Sequence, residues 1–405
     1  MNPKNTVSFD DTAVAFSSKS DTELYKMYLL FKSMNSNLFV KVGGSLLNTA
    51  INLHLPVKFI VKPTIFSHFC GGETIKESER AIQELGSYHI GTILDYSVEG
   101  EGNEKSFDAT RDELLRTVEK ARGNKHIPFS VFKVTGLVAI KLLEKVQAKQ
   151  PLTPDEQAAF NRGRDRVQAI CQRCYEAGVR VFVDAEESWI QDTIDNLTYE
   201  MMALYNREKA IVYNTYQLYR HDRLEVLKRD VQQAEQVGYY IGGKLVRGAY
   251  MEKERKRARE AGYTSPINPS KSASDNLFDE ALRFCINHLD RISICAGTHN
   301  EASSYLLMQL MQEHHIAPQD ERIFFAQLYG MSDNLSYNLA NAGYNVAKYV
   351  PYGPVEAVMP YLLRRANENT AIAGQSSREF TLIKNEMDRR KNKKRGITDN
   401  VFSHF

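Results

Sequence analysis

Long apolar runs are missing from this chain of 405 residues. None reaches the ~18 residues that a membrane-spanning helix needs. The first residues, MNPKNTVSFDDTAVAF, have no basic stretch ahead of an apolar core and carry Asp10 and Asp11. They are therefore expected to be neither a secretory signal nor a transit peptide. A large excess of charge of one sign is also missing: the net charge is +2, so no overall field draws the chain to nucleic acid. Cysteine is scarce and odd in number, at five, which suggests reduced thiols inside a cell. Cys171 and Cys174 form a lone CxxC in a helical stretch, where a structural role outweighs a redox or zinc one. No HxxxH or carboxylate–histidine cluster has metal-ligand spacing. No GxGxxG follows the first strand-like run, which argues against a dinucleotide-binding open sheet. The GYYIGGK of 238–244 has phosphate-loop spacing, but Leu245 stands where Ser or Thr belongs and the match precedes a strand. It is not a phosphate loop.

What is present is a regular rhythm. Hydrophobic residues are 42% and charged residues 25%, the profile of a soluble globular protein. Helical patterns fill 21–35 and 73–85, and the proline-broken apolar segment 45–69 lies between them. From there, short β-branched and aromatic runs alternate with helical stretches. The runs are 89–96, 128–135, 179–184, 210–215, 243–248, 291–298, 322–327 and 345–349, and the helical stretches include 155–176, 189–207 and 220–237. Near-continuous apolar strands between helices predict a parallel sheet covered on both faces. Eight such units predict a (β/α)8 barrel of the TIM type, typically about 250 residues. The expected organisation is a helical region at 1–86, a barrel at 87–380 and a basic tail at 381–405 containing RRKNKKR. That tail reads either as a solvated end or as a region drawn to anionic lipid.

Active sites of such barrels lie at the C-terminal ends of the strands. Those ends carry Asp95, Lys133, Asp184, Asn214, Arg247 with Tyr250, His299, Gln327 and Tyr349. A polar residue at every end is more than packing requires. Lys133 reads as a cation for an acidic substrate or as a Schiff-base lysine, the latter making the chain a lyase. After the last strand, Gly353-Pro354 turns into a helix on which Tyr361, Arg364, Arg365 and Glu368 share one face. Adjacent guanidinium groups beside a tyrosine suit a small carboxylate, and a solvated charged face is the plainer reading. Pro360 is expected to kink this helix.

Several stretches carry a family resemblance: KLVRGAYMEKE at 244–254, VDAEES at 183–188, GTHNEA at 297–302, FAQLYGM at 325–331 and YLLRRANEN at 361–369. Over about residues 9–379 the chain resembles proline dehydrogenases of the single-function type. The resemblance implies FAD-dependent oxidation of L-proline to Δ1-pyrroline-5-carboxylate. Electrons would pass to a membrane quinone and the product to a separate dehydrogenase. It implies that Arg364 and Arg365, helped by Lys133, pair with the substrate carboxylate. Tyr349, Tyr361 and Leu245 would enclose the ring, with Asp184 and Glu368 orienting the basic residues and tyrosines. Lys244, Val246, Gly248, Ala249 and Tyr250 would line the flavin, and Asn214, Thr298, His299, Asn300, Gln327 and Leu328 would complete its site. Lys271 and Ser274 would meet the adenine end. Against bacterial bifunctional relatives, Lys244 stands for an arginine and Asn214 for a glutamine. Tyr349 argues against the alternative substrate 4-hydroxyproline. The resemblance places the chain in the cytoplasm, peripheral on a bacterial inner membrane, or on the matrix side of a mitochondrial one. The apolar 45–69 segment and the basic tail are the candidate membrane contacts.

Overall fold

The computed structural model describes residues 7–34, 58–97, 102–371 and 375–402. Eight parallel strands close into a barrel in sequence order: β1 Ile90–Tyr96, β2 Phe129–Lys133, β3 Arg180–Asp184, β4 Val212–Gln217, β5 Ile241–Val246, β6 Ile292–Gly297, β7 Ile323–Leu328 and β8 Val346–Tyr352. This is the (β/α)8 barrel that the alternating pattern predicts. β4 is shifted along the chain, to 212–217 rather than 210–215, β5 lies at 241–246 rather than 243–248, and β8 continues to Tyr352 rather than 349. The shift of β4 matters for the site.

Strand alternation assigns each residue a face. Inward, Ile93, Phe129, Val131, Phe182, Tyr213, Cys295, Phe324, Ala326, Ala347 and Tyr349 fill the barrel. Phe129 stacks on Phe182 at 4.3 Å. At the N-terminal end, the Arg180 guanidinium covers Phe129 and Phe324 at 5.6 and 5.4 Å. Outward, Val181, Val183, Ile292, Ile294, Ile323 and Phe325 join the helices in the main core. Helix boundaries follow local chemistry. Thr153 and Glu156 form a capping box around Pro154, and Gly178 ends the helix Pro154–Ala177 in a left-handed conformation at φ 66°. Cys171 and Cys174 are buried in that helix, and burial pushes both thiols up.

The flanking segments pack onto the barrel. Helix Glu79–Ser87 begins later than the expected 73. Ser78 instead turns back to the Thr74 carbonyl through both its amide and its hydroxyl, at 3.0 Å each. Of the proline-broken segment, Val61, Phe66 and Phe69 are buried against Val355, Val358, Tyr361 and Leu362. Phe59 is 83% exposed, while 45–57 lie outside the described residues. The C-terminal helix is Gln375–Phe402. Its Leu382 and Ile383 pack on Phe16, Leu24 and Phe31. Its first basic residues are held by the protein: Arg389 and Arg390 each lie 2.7 Å from Glu386, and Arg390 and Lys394 both reach Asp21.

Candidate active site

The strand ends bring charged and polar side chains into the C-terminal mouth of the barrel. Lys133 follows Phe129 and Val131 on the inward face of β2 and is in register with Asp184. Lys244 is in register with Thr215 and follows Gly242 inward. Its ammonium pairs with the Asp184 carboxylate and donates to the Tyr349 hydroxyl at 2.6 Å. It also lies over the rings of Phe182 and Tyr349 at 5.1 and 4.8 Å. Lys244 is 4% exposed, so these partners replace the water that a buried cation requires. Burial beside Asp184 raises the Tyr349 phenol and keeps it protonated.

The helix Val355–Ala371 runs through Pro360. It presents a buried Tyr361 and a buried Arg365, whose guanidinium lies 5.1 Å from the Tyr361 ring, while Arg364 is half-buried. Arg365 contributes to depressing the His299 imidazole at the end of β6, which is pushed down to about 3 by burial, Lys348, Arg365 and Arg247. The arginine helix and the β6 end are thus electrostatic neighbours. The side chain of Glu368 lies outside the described residues.

Other expected residues face elsewhere. Asn214 is fully buried on the outward face of β4, and its amide donates to Asp195 at 2.9 Å. Asp195 is in turn 2.7 Å from Arg223. Asn214 therefore belongs to a buried network between strand and helices and does not line the mouth. The β4 residue that does is Gln217, which shares a face with Tyr213 and Thr215. It is 2% exposed, and among the described residues its Oε1 has no hydrogen-bond partner. The difference lies in where β4 ends: a strand running to 217 rather than 215 carries an inward position three residues beyond 214. Leu245 is likewise corrected. It alternates with Lys244 and lies in the outer core, not around a ligand at the mouth.

Gln327 also points outward, its amide nitrogen 3.1 Å from the Thr298 carbonyl and its Oε1 accepting from Ser336 at 2.9 Å. Leu328, one residue on, packs at the interior. Thr298 accepts from Arg247 at 2.8 Å, and Asn300 caps the helix Glu301–Glu313. Both hold the β6 end in shape. Arg247 is further fixed by Asp275 at 2.6 Å, and Asp275 also takes Lys271 at 2.6 Å. Ser274 is buried, 3.2 Å from the Asn268 amide. Val246 is half-buried, and Gly248 and Ala249 are exposed. Gly248 has φ 139°, and an added Cβ would sit 2.5 Å from the Tyr219 ring. Both facts require glycine there. Tyr250 is the N-cap of helix Met251–Ala261.

A family model for proline dehydrogenase matches residues 78–378. The chain belongs to the proline dehydrogenase family. It is similar to proline dehydrogenase 1, mitochondrial, of Dictyostelium discoideum, at 33% identity over 94% of this chain and 74% of that one. It is similar to proline dehydrogenase 2, mitochondrial, of Arabidopsis thaliana, at 30% identity over 96% and 92%. The carbapenem antibiotics biosynthesis protein CarD of Pectobacterium carotovorum is 34% identical over 80% of this chain and 84% of its own. Proline utilization A (PutA) from Bdellovibrio bacteriovorus shares the fold, with a TM-score of 0.69, 19% identity and 90% of this chain covered. This proline dehydrogenase family member spans 37% of that PutA chain.

One further carboxylate of this proline dehydrogenase family member sits beside the mouth. Glu186 accepts from the amide and hydroxyl of Thr135, at 3.1 and 2.5 Å, and so ties the end of β3 to the turn after Lys133. Burial lifts it from the ordinary 4.5 to about 7. The folded state then binds more protons than the unfolded one between these values, so this residue's contribution to stability falls as pH rises from about 4.5 to about 7. Denaturant unfolding of Glu186→Gln across that range is expected to show a flatter pH dependence than the parent. An unchanged slope would refute the assignment.

Proposed function

We propose that this chain binds FAD and uses it to oxidise L-proline to Δ1-pyrroline-5-carboxylate. Electrons would then leave to a membrane quinone and the product to a separate dehydrogenase. Membership of the proline dehydrogenase family makes the chain an oxidoreductase acting on proline. The observation that carries the finer reading is the meeting of Lys133, Asp184, Lys244 and Tyr349 at one barrel mouth with Arg365 electrostatically close to its rim.

The residues fit a flavin. Gln217 offers a buried acceptor lacking a protein donor among the described residues, which suits the N–H edge of an isoalloxazine. Lys244 supplies a buried cation for a ring that gains negative charge. Val246, Gly248, Ala249, Tyr250, Thr298, His299, Asn300 and Leu328 continue the same rim, with the exposed Gly248 and Ala249 open to close backbone approach. FAD supplies a hydride acceptor, which no side chain can. The chain's own contribution is placement and charge. Arg364 and Arg365, with Lys133, hold the substrate carboxylate. Tyr349 and Tyr361 bound the ring, and Asp184 holds Lys244 and Tyr349 in register. Glu368 would orient the basic pair. The amine must be neutral to release hydride, so activity should rise with pH as it deprotonates.

The quinone partner calls for contact at a membrane surface, in a cytoplasm or a mitochondrial matrix. Several relatives are named mitochondrial, and no described helix is long and apolar enough to cross a membrane. The exposed Phe59 and the basic residues beyond Glu386 are the described candidates for such contact. Purified protein should show a flavin spectrum that proline bleaches without oxygen and that a soluble quinone restores. Co-sedimentation with anionic vesicles should weaken with salt. A colourless protein that does not turn over proline would sink the reading. Failure to bind vesicles in either flavin redox state would remove only the membrane part.

A further inference from the structure

The loop between β7 and the helix Asp333–Asn341 is held from several sides, and two of the holds, from His68 and Glu379, come from outside the barrel. Gly330 has φ 76° and its carbonyl lies 2.8 Å from Nε2 of His68. Lys348, which faces outward from β8, donates to the Met331 carbonyl at 2.8 Å and pairs with Asp333 at 2.7 Å. Ser332 sits in the left-handed region, at φ 51° and ψ 45°, where side chains with a Cβ are uncommon. Its amide is given to the carboxylate of Glu379, in the C-terminal helix. Glu379 is 4% exposed. Burial, with Asp333 nearby, lifts it from the ordinary 4.5 to about 7, and in either protonation state it keeps an oxygen that accepts the Ser332 amide.

The consequence lies on the other side of Ser332. Its hydroxyl is 2.9 Å from Nδ1 of His299. With Nδ1 engaged, any ligand contact of that ring falls to Nε2, and which nitrogen carries the proton follows from the bond the other one makes. His299 remains neutral because burial and the charges of Lys348, Arg365 and Arg247 oppose its protonation. Its behaviour toward a ligand is therefore a matter of tautomer and orientation, not of charge.

We propose that Glu379 of the C-terminal helix is a positioning residue for the site. By holding the Ser332 amide it sets the Ser332 hydroxyl against Nδ1 of His299, and so determines how His299 meets the cofactor. This rests on the flavin reading above only in its last clause. The stretch matched by the family model ends at Arg378, so the C-terminal helix adds this hold from just beyond it. The charges around Glu379 are Asp333, Lys348 and Glu301, and the carboxylate's acceptance from the Ser332 amide is what links it to the ring.

The test uses the full chain labelled with 15N-histidine, and the His299 resonances are assigned by their loss in His299→Asn. In the parent these resonances should report one neutral tautomer from about pH 6 to 8. Glu379→Ala should shift them and lower kcat/KM for proline roughly tenfold or more, as small displacements of positioned groups do. Glu379→Gln keeps an acceptor oxygen and should restore both. Should Glu379→Ala fail to fold, Glu379→Asp, which withdraws the carboxylate by one methylene, is read in its place. His299 resonances that superimpose on the parent's in the alanine or aspartate variant overturn the proposal. So does a shift that the glutamine variant leaves unrestored. A parent protein without flavin or proline turnover would refute the proposed function, while the resonances would still decide the coupling.

Discussion

Arg365→Met is expected to raise KM for proline steeply while the protein still folds and binds flavin. Arg365 is 7% exposed, lies 5.1 Å from the Tyr361 ring, and bears on His299 across the rim of the mouth. A guanidinium held there would meet a carboxylate with little water to compete. Removing one partner of such a desolvated contact costs roughly 2–5 kcal/mol, which is about 30-fold to several thousand-fold in kcat/KM. Arg364 is half-buried, so Arg364→Met should fall near the lower end. The measurement is steady-state kinetics beside binding of tetrahydro-2-furoic acid, which has the carboxylate but no amine. If both variants bind that acid as tightly as the parent, the arginine pair does not hold the carboxylate.

The second large effect concerns stability as well as activity. Lys244→Met should destabilise the fold by about 3–5 kcal/mol, because it leaves the Asp184 carboxylate without its buried partner. The pair lies inside the barrel, with Lys244 5% and Asp184 15% exposed at the side chain. Adding Asp184→Asn removes the second charge and should recover much of the loss, since replacing both ions is far cheaper than stranding one. The double variant should nevertheless remain inactive, because Tyr349 loses the donor that now reaches it at 2.6 Å. Urea unfolding of the four proteins gives the coupling directly. Additive losses would mean that Lys244 and Asp184 act independently, and wild-type turnover in the double variant would remove both from the chemistry.

These two predictions draw on different levels of information. Tyr361, Arg364 and Arg365 could be placed on one helix face from spacing alone, because a helix repeats every 3.6 residues and the stretch contains them at 361, 364 and 365. The eight strands were equally legible: a strand buried on both faces must be apolar almost throughout, and few other patterns look like that. The inward direction of Lys133, Asp184 and Tyr349 also followed once the strand ends were near enough to correct.

Which face a strand residue takes is what the pattern leaves open. Side chains alternate across a strand, so a residue one position off the inward set faces the outer wall. Asn214 sits one position before the inward Thr215, and Gln217 lies past the expected end of the strand at 215. No local pattern marks the difference, because both faces of a parallel barrel strand are buried. Tertiary structure alone decided three other matters. Lys244 became the partner of Asp184 and Tyr349, residues 60 and 105 positions away in the chain. Arg390 and Lys394 found a carboxylate at Asp21, 369 and 373 positions away, where composition suggested a solvated tail. Glu379 reached the Ser332 amide across 47 positions. Short-range periodicity determines which elements form, because it depends only on backbone geometry. Which charges meet depends on how the barrel closes, and closure brings together residues whose separation in sequence carries no signal of their contact.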